Sequence, residues 1–120
     1  MAEKVLMKGN ELIAEAAVRC GVNFFSGYPI TPQTELLEYM SWRLPQAGGH
    51  FIQAESEVAS SAMLFAASTA GARAMTATSG PGLSLMAENL ALMCLSRLPG
   101  LIVDVQRAAT NITPEQSDYN

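Results

Sequence analysis

Charge is what this chain has least of. Only 15% of its 120 residues are charged against 49% hydrophobic, and seven Lys and Arg stand against eleven Asp and Glu. A formal net charge of −4 argues against nucleic acid, which requires a clustered basic face. Two cysteines, Cys20 and Cys94, and a single histidine, His50, offer no ligand spacing for zinc or an iron–sulfur cluster and no disulfide framework. Both cysteines lie in apolar helical patterns and are expected as buried thiols in a reducing cytosol. No apolar run approaches the roughly 20 residues of a membrane span. Met1-Ala2-Glu3-Lys4 has no signal-peptide core. The expectations are no nucleic acid, no membrane and a cytoplasmic location. The length permits one domain at most, small for a complete two-layer enzyme, and so apolar a composition suggests a chain that works with others.

What is present is an alternation. From Lys8 to Cys20, Leu12, Ile13, Ala16, Ala17 and Cys20 recur at helical spacing, with Asn10 offering a cap and Gly21 a stop. Val22-Asn23-Phe24-Phe25 has the form of a buried parallel strand. In Gly27-Tyr28-Pro29-Ile30-Thr31-Pro32 two prolines bracket a turn, with Thr31 as N-cap and Pro32 at the first helical position. The helix that follows carries Leu36, Leu37 and Met40 on one face to Arg43, and Leu44-Pro45 ends it.

The central stretch is Phe51-Ile52-Gln53-Ala54-Glu55-Ser56-Glu57, a strand and a turn with two carboxylates, followed by a helix to Gly71. That helix is so rich in Ala and Ser that something must pack closely on it. A carboxylate at such a junction is caught between desolvation and the favourable helix N-terminus, the tension a proton-handling group needs. Arg73 to Ala77 reads as a third strand, less apolar than the others, and ends in Thr78-Ser79-Gly80-Pro81-Gly82. A helix from Leu83 to Ser96 carries Leu and Met on several sides and is expected to be covered on several sides. Leu101-Ile102-Val103-Asp104-Val105 is the clearest strand, with Gln106-Arg107 at its carboxyl end.

Strands alternating with helices predict an α/β fold, a parallel sheet with helices on both faces. Ligands bind such sheets beyond the carboxyl ends of the strands. Pro29 to Thr31, Glu57, Thr78 to Gly82 and Arg107 all follow strand ends and converge on one edge. Local chemistry leaves alternatives open there. Thr31 reads first as a plain cap. One of Glu55 and Glu57 serves as a solvated carboxylate, Thr78 to Gly82 is equally a tight turn or a ligand loop, and Arg107 could pair with Asp104. The turn is not a dinucleotide fingerprint, because Leu85 stands where a third glycine is needed. His50 reads as structural, and Met63, Met75, Met86 and Met93 as packing.

In order along the chain, Gly9-Asn10-Glu11, Gly27 to Pro32, Gln53-Ala54-Glu55-Ser56-Glu57, Thr78 to Gly82 and Val103-Asp104-Val105-Gln106-Arg107 resemble the start of the α subunit of 2-oxoacid:ferredoxin oxidoreductases, most closely the 2-oxoisovalerate (branched-chain) type. The Glu57 helix and the Thr78 turn also resemble the pyrimidine-binding domain of other thiamine diphosphate enzymes. The resemblance implies that residues 1–120 are the N-terminal part of such a domain, with the remainder of the subunit absent from this sequence.

It implies a site as well. Glu57 corresponds to the carboxylate that hydrogen-bonds the aminopyrimidine ring of thiamine diphosphate, whereas Glu55 falls too early. Pro29, Ser79 and Gly80 are implied in cofactor binding. Thr31 is implied as a hydroxyl donor to the reacting end of the 2-oxoacid, and Arg107 as the partner of its carboxylate, for which a guanidinium fork is suited. No metal ligand is implied in this chain. Mg2+ and the diphosphate site are expected from a β subunit, part of whose contact would be the Ala/Ser helix, and [4Fe-4S] clusters from an iron–sulfur subunit. Ferredoxin takes the electrons and coenzyme A the acyl group. The implied reaction is oxidative decarboxylation of a 2-oxoacid, with 2-oxoglutarate and pyruvate as further substrates. Two rivals stand beside it: a thiamine diphosphate decarboxylase or carboligase, and a non-catalytic assembly partner that keeps the fold. Ala108-Ala109-Thr110-Asn111 stands, shortened, where the family carries a glycine-rich loop. Thr113-Pro114-Glu115-Gln116 reads as a helix start whose body is missing, the mark of a fragment.

Overall fold

A computed structural model describes residues 2–107 of the chain. The expectations for the shortened segment after Arg107 and for a helix start at Thr113 lie outside the described residues. Four strands and four helices alternate: α1 (Gly9–Arg19), β1 (Phe24–Gly27), α2 (Thr34–Gln46), β2 (His50–Gln53), α3 (Glu57–Thr69), β3 (Ala74–Thr78), α4 (Gly80–Leu95) and β4 (Leu101–Asp104). All strand pairs are parallel, in the order β2-β1-β3-β4. The chain turns one way from β1 to β2 and the other way to β3, so the topological switch point falls between β1 and β3. In open α/β sheets that is where ligand crevices form.

The two sheet faces are built differently. On the first, α1 and α2 cover Phe25, Met75 and Ala77 with Ala14, Leu36, Leu37, Met40 and Leu44, all buried. Phe25 and Phe51 stack with centroids 5.6 Å apart. Each large apolar side chain buried here contributes roughly 1.5–3 kcal/mol. On the second face α3 and α4 enclose a smaller apolar cluster of Leu64, Ala74 and Met93. Phe24, Phe65, Leu90 and Ile102 pack partly buried around it, and hydroxyls add directed contacts: Ser26 Oγ donates to Ser60 O at 2.8 Å, Ser60 Oγ and Thr76 Oγ1 share a bond of 3.0 Å, and Ser68 Oγ donates to Pro99 O at 2.6 Å. The close partner demanded by the Ala/Ser helix is thus the sheet of the same chain.

Several local expectations are corrected. The helix after Pro32 opens two residues later, with Gln33 at the N-cap and no side-chain cap, so Thr31 does not cap it. It also runs through Pro45 to Gln46, because Pro45 lies in the last turn with its ring to solvent while Leu44 on the buried stripe holds the helix down. Asn10 lies inside α1, and its amide reaches across to Pro32 O at 2.7 Å and Glu35 at 2.9 Å. The buried side of α1 is Ala14, Glu15 and Ala17, leaving Leu12 and Ile13 outside, since small residues let α1 approach α2 closely. Cys20 and Cys94 are exposed: Cys20 caps the end of α1, and Cys94 lies one position off the stripe of Met86 and Met93. Among the described residues α4 is covered on one side only, with Leu85, Leu92 and Leu95 exposed. The least apolar strand, β3, is fully buried because it is central, and the clearest, β4, is a half-exposed edge.

Between α1 and α2 sits a charged clamp of which the sequence shows only the i,i+4 pair Glu15 and Arg19. Glu15 accepts from Arg43 Nε and Arg19 Nε at 2.8 Å each and from the Tyr39 hydroxyl at 2.7 Å, joining α1 to α2. Hydrogen bonds from Arg43, then Arg19 and Tyr39, hold its carboxyl down to about 2. The same carboxylate raises the Tyr39 phenol.

Candidate functional site

At the carboxyl edge the strands end level. Gly27 is in register with Gln53 and Thr78 with Asp104. One more ladder bond closes each side beyond, Ala54 N to Gly27 O at 2.8 Å and Val105 N to Thr78 O at 2.9 Å. Four connections therefore leave the sheet at one height, and all the predicted site residues lie on them.

Glu57 is the first residue of α3. Ser56 caps that helix, its side chain accepting from Ala59 N at 3.0 Å, so the helix N-terminus is closed without using Glu57. Glu57 is half-buried and makes no hydrogen bond or ion pair among the described residues, whereas Glu55 is exposed and precedes the helix. Beside Glu57 lies the start of α4. This helix opens at Gly80, three residues before the expected Leu83, because Ser79 alone carries the chain from β3 into it and Pro81 suits its first turn. Gly82 thus stands in that first turn and not in a loop. A Cβ added to Gly82 would strike Thr78 Oγ1 and stand 3.0 Å from Glu57 Cγ. The backbone there is thus held against both side chains, and only glycine fits.

Ser79 occupies the N-cap of α4 in extended conformation, yet its side chain does not cap. Its hydroxyl is fully buried with no partner among the described residues. A buried unpaired hydroxyl costs about 1–3 kcal/mol, so it marks a place where a ligand atom would be welcome. It directly follows Thr78, also fully buried, at the switch point.

The third element is the loop from Tyr28 to Pro32, whose Thr31-Pro32 peptide is cis. Thr31 is exposed, and its carbonyl accepts from Arg107 Nη1 at 3.0 Å. The loop after β1 and the end of β4 are thereby brought together across β3. Pro29 is half-buried in the same loop. His50 begins β2 at the opposite edge, as a structural reading requires. Among the described residues no group of three His, Cys, Asp or Glu could hold a metal, and no helix is long and apolar enough to cross a membrane.

Sequence reasoning missed Gln33 altogether. It is fully buried, its Nε2 donating to Ala77 O at 2.9 Å. The signal was available: Gln33 lies on the helical stripe of Leu36, Leu37, Met40 and Leu44, a polar residue in an apolar period.

Comparison with known proteins bears on the family and the fold. Residues 15–120 match the family described as "Pyruvate flavodoxin/ferredoxin oxidoreductase, thiamine diP-bdg". The chain is 50% identical over 101 residues to 2-oxoglutarate synthase subunit KorA of Methanocaldococcus jannaschii, covering 84% of this chain and 28% of that protein. It is 46% identical over 118 residues to ketoisovalerate oxidoreductase subunit VorB of Methanothermobacter thermautotrophicus, covering 96% and 34%. A solved 2-oxoglutarate:ferredoxin oxidoreductase from Magnetococcus marinus, with 2-oxoglutarate, coenzyme A and succinyl-CoA bound, superposes with a TM-score of 0.90 at 47% identity, covering 96% of this chain and 21% of that one. The chain thus spans about a third or less of the proteins it matches.

Proposed function

Because this chain belongs to the thiamine diphosphate-binding family of pyruvate flavodoxin/ferredoxin oxidoreductases, we propose that it is part of the α subunit of a 2-oxoacid:ferredoxin oxidoreductase, forming one wall of the cofactor site. The carrying observation is the cradle at Gly82, where backbone, Thr78 and Glu57 meet with no room for a Cβ. The missing side chain lets the first turn of α4 close on Glu57, which fixes where its carboxylate stands at the sheet edge. The buried unpaired hydroxyl of Ser79 supplies a hydrogen-bonding group at the same edge. When bound, thiamine diphosphate supplies the nucleophilic carbon and the electron sink for loss of carbon dioxide from a 2-oxoacid.

The chain's own residues do the rest. Glu57, unpaired at a capped helix N-terminus, hydrogen-bonds the aminopyrimidine nitrogen and holds the proton there. Pro29, Ser79 and Gly80 line the ring. Arg107 presents its guanidinium to the substrate carboxylate, and its bond to the Thr31 carbonyl aims it toward the residue whose hydroxyl donates to the reacting end. Residues 1–120 form the first part of the pyrimidine-binding domain. A β subunit brings the diphosphate and Mg2+ site, an iron–sulfur chain carries electrons to ferredoxin, and coenzyme A accepts the acyl group. Among 2-oxoacids we favour 2-oxoisovalerate-type acids over 2-oxoglutarate, to be decided by comparing kcat/KM for the two.

The test is coenzyme A-dependent dye reduction by the full-length subunit assembled with its partners. Glu57→Gln should lower kcat by about 10²-fold or more, the scale of a lost proton-transfer group, with assembly intact. Normal turnover by that variant sinks the assignment.

A further inference from the structure

Gln33 joins the two connections that frame the site. Its amide is used at both ends: Nε2 donates to Ala77 O at 2.9 Å, and Oε1 accepts from Ile30 N at 3.4 Å. Its backbone is engaged as well, with N donating to Ile30 O at 2.7 Å and O accepting from Leu36 N at 2.9 Å. Ile30 is the residue before Thr31, and Ala77 is the residue before Thr78 and Ser79. One amide with a single plane therefore spans the gap between β1's loop and β3's end at the switch point.

The position would be cheaper to fill with an apolar residue. Gln33 is fully buried beneath α2, and burying an amide is unfavourable unless both of its ends are bonded. Both are. Hydroxyls and amines cannot make this span, because it needs a donor and an acceptor held apart on one rigid group. The loop is also anchored by Asn10 to Pro32 O at 2.7 Å and by Arg107 to Thr31 O at 3.0 Å. These come from α1 and from beyond β4, whereas Gln33 ties the loop to β3, the strand that leads into α4.

We propose that Gln33 is a positioning residue that sets the separation of the Thr31 loop from the start of α4, and through it the KM for the 2-oxoacid. The inference rests on the function proposed above. In the assembled holoenzyme, Gln33→Met keeps the volume and removes both side-chain bonds. KM for the 2-oxoacid should rise about tenfold or more, since small misplacements of a positioning group are costly, with kcat within about twofold of wild type. Gln33→Asn, one methylene too short to reach both partners, should show the same split and serves if the Met variant does not fold. In a Thr31→Ala background the Met substitution should add less than about twofold to KM, because it acts through a loop whose working group is already gone. An unchanged KM overturns the proposal. So does an equal effect in both backgrounds, or a parallel loss of kcat, KM and thermal midpoint, the pattern of a residue that only holds the fold. Glu57→Gln, measured alongside, separates this outcome from failure of the functional assignment itself.

Discussion

The two faces of the sheet solve the same packing problem with different chemistry. Against α1 and α2 the sheet presents Phe25, Met75 and Ala77, and the helices answer with leucines and a methionine. Against α3 it presents Ser26 and Thr76, and the helix answers with Ser60. The first contact is worth more in burial, the second more in direction. Glu57 rides on the helix of the second face, one turn before Ser60, and α4 opens on that side too. The oily face is the larger apolar core, and the hydroxyl face fixes the helix that begins at Glu57 against the sheet.

The comparison breaks most visibly at Phe25. Truncation to Ala leaves a cavity under Leu37 and Phe51 and should destabilise the full-length subunit by about 3–5 kcal/mol, read by denaturant unfolding, while KM of the folded fraction stays near wild type. Gly82→Ala is the opposite probe. Ala is the better helix former by about 1 kcal/mol. Its methyl, however, meets Thr78 and Glu57, an overpacking cost of about 1–3 kcal/mol. Stability should fall by up to about 2 kcal/mol, and thiamine diphosphate affinity, measured by titration of the apoenzyme, should fall by about tenfold or more. A tight-binding Gly82→Ala enzyme would mean that the cradle is only a packing contact.

Glu15 sharpens the comparison from between α1 and α2. Its carboxyl is depressed from 4.5 to about 2 by Arg43, Arg19 and Tyr39. A depressed carboxyl contributes stability that is fully present above pH 4.5 and is lost as pH falls toward 2. Because the Arg19 partner is solvated, the contribution is discounted to about 1–2 kcal/mol. Glu15→Gln should lower stability at pH 7 by that amount, and the difference from wild type should shrink below pH 4.5. A difference independent of pH would show that packing, not charge, makes the clamp.

The strands and helices were legible because their periods are clean, and the convergence at the carboxyl edge followed from parallel topology. Thr31, Glu57, Ser79 and Arg107 could be placed at that edge because each follows a strand end, but their roles came from the family resemblance, since local chemistry left each of them an ordinary structural reading. Helix faces were harder. Leu12 and Ile13 look like core, but α1 is pressed so near α2 that alanine is preferred inside. The α2 start was misplaced because Thr-Pro carries a strong cap signature, whereas the helix opens on Gln33, whose side chain is engaged elsewhere. For Gln33 and Glu15 the local signs, a polar residue in an apolar stripe and an i,i+4 partner at Arg19, did not reveal the partners 44 residues away on β3 for the first and 24 and 28 residues away on α2 for the second.

A contact between methyl groups has a volume but no preferred length, and it yields when a neighbour is exchanged for another of similar size. The Ser26–Ser60–Thr76 chain has lengths and angles. Hydrogen bonds near 3 Å weaken steeply when stretched or bent. The helix that begins at Glu57 is therefore gauged against the sheet as by a ruler, and its distance should hold while the leucines on the far side are repacked around it.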